Sequence, residues 1–496
     1  MPEYPLHPAA HEFALASVWK RQHRVAERRM HVKRKSRQTW MFRLLACPFM
    51  MVASLNAQEH PYALSGTLVT PNGIIPHGTI LIGSGAIQAV GADIVVPPGA
   101  PVVETDGVIF PGLIDTHNHL IWNVFPHWKP AAPVGDRYDW QAMSDYVAKL
   151  PLPEMVMEDR GNGCDMERFA EVKAMLGGAT SVVGSYSPKN ADPHANECVR
   201  GLARNLDAFS GLYSSALNSE PLAYEIFPFE MPYLKAQAIR DAMTSGKLKA
   251  LLIHVSEGKD ASSAREFTML KADGFVRPGV SIIHGVALDD AAFRDMARNG
   301  VGLVWSPHSN IALYGVTANV ASAKASRVTI AIAPDWSPSG SNGMTEELHY
   351  AYEWNARQKV PVFTPSDFVD MATRNPAHLA AAGDKIGTLA AGYAADLAVF
   401  PRRGDSAPMA LVDAQPGSIK LVIVGGKPML GDPALMGSLV PSKNLESLKV
   451  CSYHKSLNIR DDIGGQSFTE LEEHLTKELQ RLNLSLSDLA DCANSH

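Results

Sequence analysis

The sequence predicts an α/β protein: a (β/α)8 TIM-like barrel with a small β-sandwich formed by the segments that flank the barrel. Three observations carry that expectation. Short apolar runs alternate with helical spacing through the middle of the chain, several of those runs end in a titratable residue, and turn-rich β-like stretches stand on either side. A length of 496 residues, with 46% hydrophobic and 19% charged residues, accommodates such a barrel with an appendage. The formal net charge of −6 argues against a nucleic-acid-binding body.

The chain reads as five segments. Residues 1–57 read as a basic N-terminal extension and signal peptide: Lys20, Arg21 and Arg24 begin a positive stretch that runs to Arg43 with no acidic residue after Glu27. An apolar run over 44–55 and a small residue, Ala57, complete the pattern, too short to span a bilayer. Cleavage near Ala57 would place the protein in the periplasm or outside the cell. A basic tail on a cytosolic enzyme is the competing reading, and Met30 and Met41 are alternative starts. Cys164, Cys198, Cys451 and Cys492 would then remain downstream, an even number consistent with two disulfides, most simply Cys164–Cys198 and Cys451–Cys492.

Residues 58–107 and 384–439 read as the two parts of the small β domain, the first with a Pro71-Asn72-Gly73 turn. Residues 108–383 read as the barrel. Its first strand is placed at 108–120, followed by a Pro- and aromatic-rich connection over 121–165 that contains Trp122, His127, Trp128, Arg137 and Trp140. Further strands are expected at 179–184, 210–215, 247–254, 280–284, 301–305 and 328–333, with helical spacing at 166–176, 198–207 and 232–245. That makes seven strands, and the eighth is sought near 221–227. Residues 440–496 read as a helical extension, in which Ser467 and Glu470 form a capping box ahead of Leu471, Leu475, Leu479 and Leu482.

The chemistry-bearing residues sit at strand ends. His117 and His119 are two apart, a spacing that in a strand sends both imidazoles to one face. His254 and His284 close two later apolar runs, Glu257 follows three residues after His254, and Asp335 follows the last run. In a parallel barrel all C-terminal strand ends open onto one mouth, so these residues would meet there. Any one of them alone reads equally well as an ordinary loop or core residue.

Together they have a family look. The opening P-G-x-I-D-x-H-x-H, the H-x-x-E at His254, the later His284 and the final Asp335 resemble the metal-dependent amidohydrolase superfamily, specifically its deaminase and triazine-hydrolase branch. Ser306-Pro307-His308-Ser309-Asn310 and the closing segment 387–397 resemble the same branch. The resemblance implies that His117, His119, His254 and Asp335 bind one divalent metal ion, Zn or Fe. It implies Glu257 as the proton carrier, His284 as a hydrogen-bonding group at the reacting oxygen, and Asp335 as both ligand and catalytic group. Two-metal relatives use a lysine from the strand before the His254 strand, but no lysine occurs between Lys189 and Lys235, which favours a single ion.

Trp122, Trp305, His308 and Trp336 are the candidate substrate-binding residues, an aromatic set suited to stacking on a flat ring. The expected activity is hydrolysis of a non-peptide carbon–nitrogen bond, in particular deamination of a small N-heterocycle. An amidase, cyclic amidase or peptidase-like hydrolase on the same barrel is the near alternative. An exported, non-catalytic binding protein is the alternative of another class. The expected partner is a small-molecule substrate, without nucleic acid or stable membrane insertion, and homo-oligomer formation stays open.

Overall fold

A hairpin comes first among the described residues. In this computed structural model, which describes residues 61–186, 198, 201–207 and 222–494, strands β1 (Tyr62–Thr70) and β2 (Gly73–Gly83) pair antiparallel through the Pro71-Asn72 turn. β3 (Ala86–Gly91) extends the hairpin, and β4 (Val102–Pro111) lies parallel to β1 on its other side. The expected signal peptide lies outside the described residues. Gln58–His496 forms one compact unit.

At Gly112 the chain passes from one sheet to another. β4 belongs to the sheet just described, whereas β5 (Leu113–Asp115) pairs parallel with β6 (Ala179–Val182). A Cβ at Gly112 would fall 2.1 Å from Thr180 Oγ1, so only glycine permits this approach. The single strand expected at 108–120 is therefore two, and it stops at Asp115. His117 and His119 stand just beyond it.

Among the described residues, eight barrel-region strands run parallel in two groups. β5, β6 and β7 (Arg204–Asn205) make a three-stranded sheet. β8 (Leu222–Glu225), β9 (Ala250–Val255), β10 (Val280–His284), β11 (Gly302–Trp305) and β12 (Ile330–Ile332) make a five-stranded one, in sequence order. β9 and β10 are buried along their whole length, as parallel strands covered on both faces must be. The strand sought near 221–227 is β8. The helix expected over 198–207 is corrected at its end, where Arg204–Asn205 is extended and pairs with β6; the strand expected at 210–215 lies outside the described residues.

The last and first of these strands are joined past their ends. The amide of Asp335 donates to the His117 carbonyl at 3.0 Å, and the amide of His119 donates to the Asp335 carbonyl at 3.2 Å. Asn118 and Asp335 form a parallel bridge.

The chain then returns to the first sheet. β13 (Leu397–Pro401) pairs antiparallel with β4, and β14 (Leu421–Val424) and β15 (Lys427–Gly431) follow. β16 (Glu446–Val450) and β17 (Tyr453–Leu457) complete one continuous nine-stranded sheet. The segment 440–496, expected to be helical, thus adds two strands before its helix at Phe468–Gln480. That helix carries the Ser467/Glu470 capping box and buries Leu471, Leu475 and Leu479, with Phe468 stacked on Phe169 of the helix Gly163–Leu176. Disulfides join Cys164 to Cys198 and Cys451 to Cys492. Among the described residues no helix is long and apolar enough to cross a membrane.

Candidate metal centre and active-site cavity

Four histidines and an aspartate converge where the parallel strands end. His117 Nε2 lies 3.1 Å from His254 Nε2 and 3.1 Å from Asp335 Oδ1, and His119 Nε2 lies 3.4 Å from the same oxygen. Two sets, His117/His119/His254 and His117/His284/Asp335, each keep their ligand atoms within 4.8 Å of one another. His284 thus stands inside the donor cluster, closer than its expected role beside the reacting oxygen required.

The outer nitrogens of three rings are spoken for. His254 Nδ1 lies 3.1 Å from the Glu225 carbonyl oxygen. A carbonyl only accepts, so Nδ1 carries the proton and Nε2 turns its lone pair inward. His117 Nδ1 meets Ser306 Oγ at 2.7 Å, and His284 Nδ1 meets Asn310 Oδ1 at 2.8 Å. Ser309 donates to Asp335 Oδ2 at 2.6 Å, leaving Oδ1 for the histidines. The segment Ser306–Asn310, read in the sequence only as a family motif, therefore braces three of the five donors. Such outer contacts fix ring orientation and ligand basicity.

Electrostatics agree with a cation site. Burial, together with the neighbouring imidazoles, lowers His117 to about 4 against the opposing pull of Asp335. Burial and the surrounding rings also hold His254 well below its ordinary value. Burial acts to raise Asp335, but the imidazoles outweigh it and keep the carboxylate ionised. Neutral imidazoles whose Nε2 atoms face one another beside an ionised carboxylate are a donor set that a divalent cation fits.

The backbone bends to bring them together. Ser256, His284 and Asp335 all have left-handed φ, at 57°, 69° and 70°. For residues with a Cβ this costs about 1–3 kcal/mol each and is found where surrounding structure holds it in place.

Glu257 stands at the rim. Its Oε1 accepts from the Tyr314 hydroxyl at 2.7 Å, and its Oε2 lies 3.6 Å from both His284 Nε2 and Arg137 Nη1. Trp140 in turn donates to the Tyr314 hydroxyl at 2.8 Å. Tyr314 is a buried clamp on the carboxylate.

A cavity of about 110 Å³ opens over this cluster, lined by His119, His254, Glu257, His284 and Asp335 on one side. Trp122, Trp140, Tyr146 and Trp336, with Ile226 and Phe227, line the other. Trp122 and Trp336 are thus wall residues, as expected. The other two candidates are corrected. Trp305 is fully buried against Trp354 and Phe363 and donates to Thr317 Oγ1, because its strand turns it to the outer layer. His308 stacks on Tyr350 and faces a separate cavity of about 420 Å³, because Ser309 and Asn310 take the inward face of the helix Pro307–Tyr314. Sequence reasoning missed Tyr146, Ile226 and Phe227. The only signal for the last two was their place at the end of the stretch 221–227.

No lysine reaches the site from β8. That strand presents Tyr224, whose hydroxyl donates to the Asn118 carbonyl at 3.0 Å and lies 3.5 Å from His119 Nε2.

Residues 229–429, which include His254, Glu257, His284 and Asp335, match the model of the amidohydrolase family. The matched residues carry an amidohydrolase family domain. Among similar proteins, the 5-methylthioadenosine/S-adenosylhomocysteine deaminase of Syntrophobacter fumaroxidans is 25% identical over 331 residues, covering 60% of this chain and 72% of that protein. An adenosine deaminase from Xanthomonas campestris, crystallised with bound zinc, superposes with a TM-score of 0.65 at 16% identity over 85% of this chain and 98% of its own. Guanine deaminase from Bradyrhizobium japonicum gives a TM-score of 0.58 at 18% identity, covering 74% of this chain and 99% of its own. At such identities the two structural likenesses are of fold. Of the cluster described above, His254, His284 and Asp335 fall within the matched residues, and His117 and His119 precede them.

Proposed function

We propose that this amidohydrolase domain is a mononuclear metal-dependent deaminase of a small N-heterocycle. The convergence of His117, His119, His254 and Asp335 beneath an aromatic-walled cavity carries that reading. Those four residues would hold a divalent ion, which would supply the acidity that makes water a nucleophile near neutral pH. Glu257 Oε2, with its other oxygen tied to Tyr314, takes a proton from the attacking water. The water oxygen bonds to the ring carbon bearing the amino group, the carbon–nitrogen bond breaks, and Glu257 returns the proton to the departing ammonia. His284, whose Nδ1 is held by Asn310 Oδ1, turns its Nε2 inward to hydrogen-bond the attacking water. Trp122 and Trp336 stack on the ring. The named substrates of the deaminase relatives, which carry an aminopurine, support the choice of a heterocyclic amine.

The eight parallel strands support a single (β/α)8 barrel, with the His117–Asp335 backbone pair as its seam. A sandwich-like small domain finds support in one apolar cluster shared by β1, β2, β4, β13 and β14. Export to an oxidising compartment is supported by the two disulfides.

Elemental analysis of the purified full chain, followed by ammonia release from a panel of aminopurines, aminopyrimidines and aminotriazines, tests the function. One zinc or iron per chain with ammonia release is the expected result. An amine and a carboxylic acid formed from amide substrates, without deamination, would overturn it in favour of an amidase.

A further inference from the structure

The last part of the chain lies beyond the residues matched by the family model, yet it reaches the cavity wall. The wall residue Trp122 sits in a short turn, Leu120–Val124, whose Leu120, Ile121, Asn123 and Val124 are buried. Within the turn, the Trp122 amide donates to the His119 carbonyl and the Phe125 amide to the Trp122 carbonyl. The carbonyls of Asn123 and Val124 need donors from elsewhere, since a buried backbone oxygen left without one is costly.

Residues 482–492 supply them. The Ser487 amide donates to the Val124 carbonyl at 2.9 Å, and its hydroxyl donates to the Asn123 carbonyl at 2.5 Å. Buried Lys173, from the helix Gly163–Leu176, donates to the same carbonyl at 3.2 Å and to Ser487 Oγ at 3.0 Å. The Asn123 side chain carries the connection onward. Its Oδ1 accepts from the Ser337 amide, beside Trp336, and its Nδ2 donates to Asn118 Oδ1, which also takes the His119 amide. Beyond Ser487, the Asp491 amide donates to Glu346, and Cys492 is bonded to Cys451.

We propose that Ser487 is a positioning residue, the seat of a C-terminal strap that holds the Leu120–Val124 turn and stands Trp122 in the cavity wall. The disulfide Cys451–Cys492 is the clasp of that strap. Its consequence for catalysis rests on the deaminase reading; the strap itself does not.

Hydrogen–deuterium exchange on the zinc-loaded full chain separates the two. Ser487→Ala should speed exchange in peptides covering 118–126 about fivefold, the worth of one neutral hydrogen bond, while β9 and β10 keep their protection. Ser487→Thr should restore it, and a Cys451→Ser/Cys492→Ser variant should reproduce the loss. With a heterocyclic amine that the wild type deaminates, Ser487→Ala should raise KM and leave kcat within about twofold, as loss of ground-state binding requires. Unchanged exchange over 118–126 in Ser487→Ala, or acceleration spread equally through β9 and β10, would overturn the strap. Deamination absent from the wild type would sink the activity and leave the exchange result to decide the strap alone.

Discussion

Each donor of the metal cluster lies within or just beyond a parallel strand, whereas the aromatic side of the cavity hangs mainly from segments that belong to no strand. His254 and His284 are themselves strand residues, and His117 and Asp335 follow β5 and β12 directly. Each is oriented by neighbours a fixed step away on the Ser306–Asn310 segment or the adjoining strand. Trp122, Trp140 and Tyr146 come from the long connection after β5, and their places depend on Tyr314, Lys173 and Ser487. One side is thus set by the repeat of the fold and the other by singular long-range contacts.

The largest effect that separates the two sides is expected at Glu257. Glu257→Gln should lower turnover at least about a hundredfold while the metal content measured by elemental analysis stays at the wild-type level. Unchanged turnover would remove this carboxylate from the mechanism. Next comes the brace under the donors: Ser306→Ala should weaken metal affinity about tenfold or more, read by chelator competition, since His117 loses the partner of its Nδ1. On the aromatic side, Trp122→Ala should raise KM about tenfold with little change in kcat, the worth of one stacked ring. An equal fall in kcat would mean that this wall shapes the reaction as well as the binding.

The smallest effect is on stability. Glu347, buried beneath the donor side, accepts from the His308 amide and from Ser341. Burial raises it to about 8 from the usual 4.5, against those hydrogen bonds. A carboxyl whose folded pKa lies above its unfolded one contributes stability fully present below the unfolded value and lost as pH rises through the folded value. The melting temperature should therefore decline between about pH 5 and 8, and Glu347→Gln should flatten that decline by about a few degrees.

The same contrast explains what could be read from the sequence. Strand-end histidines announce themselves through an apolar run followed by a polar residue, so His254, His284 and Asp335 were legible, as was β8 once the strand count demanded it. The break at Gly112 was not, because a continuous apolar run conceals a change of partner strand that only Thr180, far along the chain, imposes. Trp305 and His308 were misplaced because aromatic character does not tell which face of a strand or helix turn a side chain takes. Ser487 had no local signal at all; its role exists only across a large sequence separation.

The backbone pair between His117, His119 and Asp335 has a consequence for biogenesis. The ligands at the two extremes of the donor set come together only when the exit of β12 docks against the exit of β5, a late and long-range event for a chain made from its N-terminus. A partly made or partly folded chain can offer at most a fragment of the donor set. A complete donor set would thereby be a certificate of completed folding.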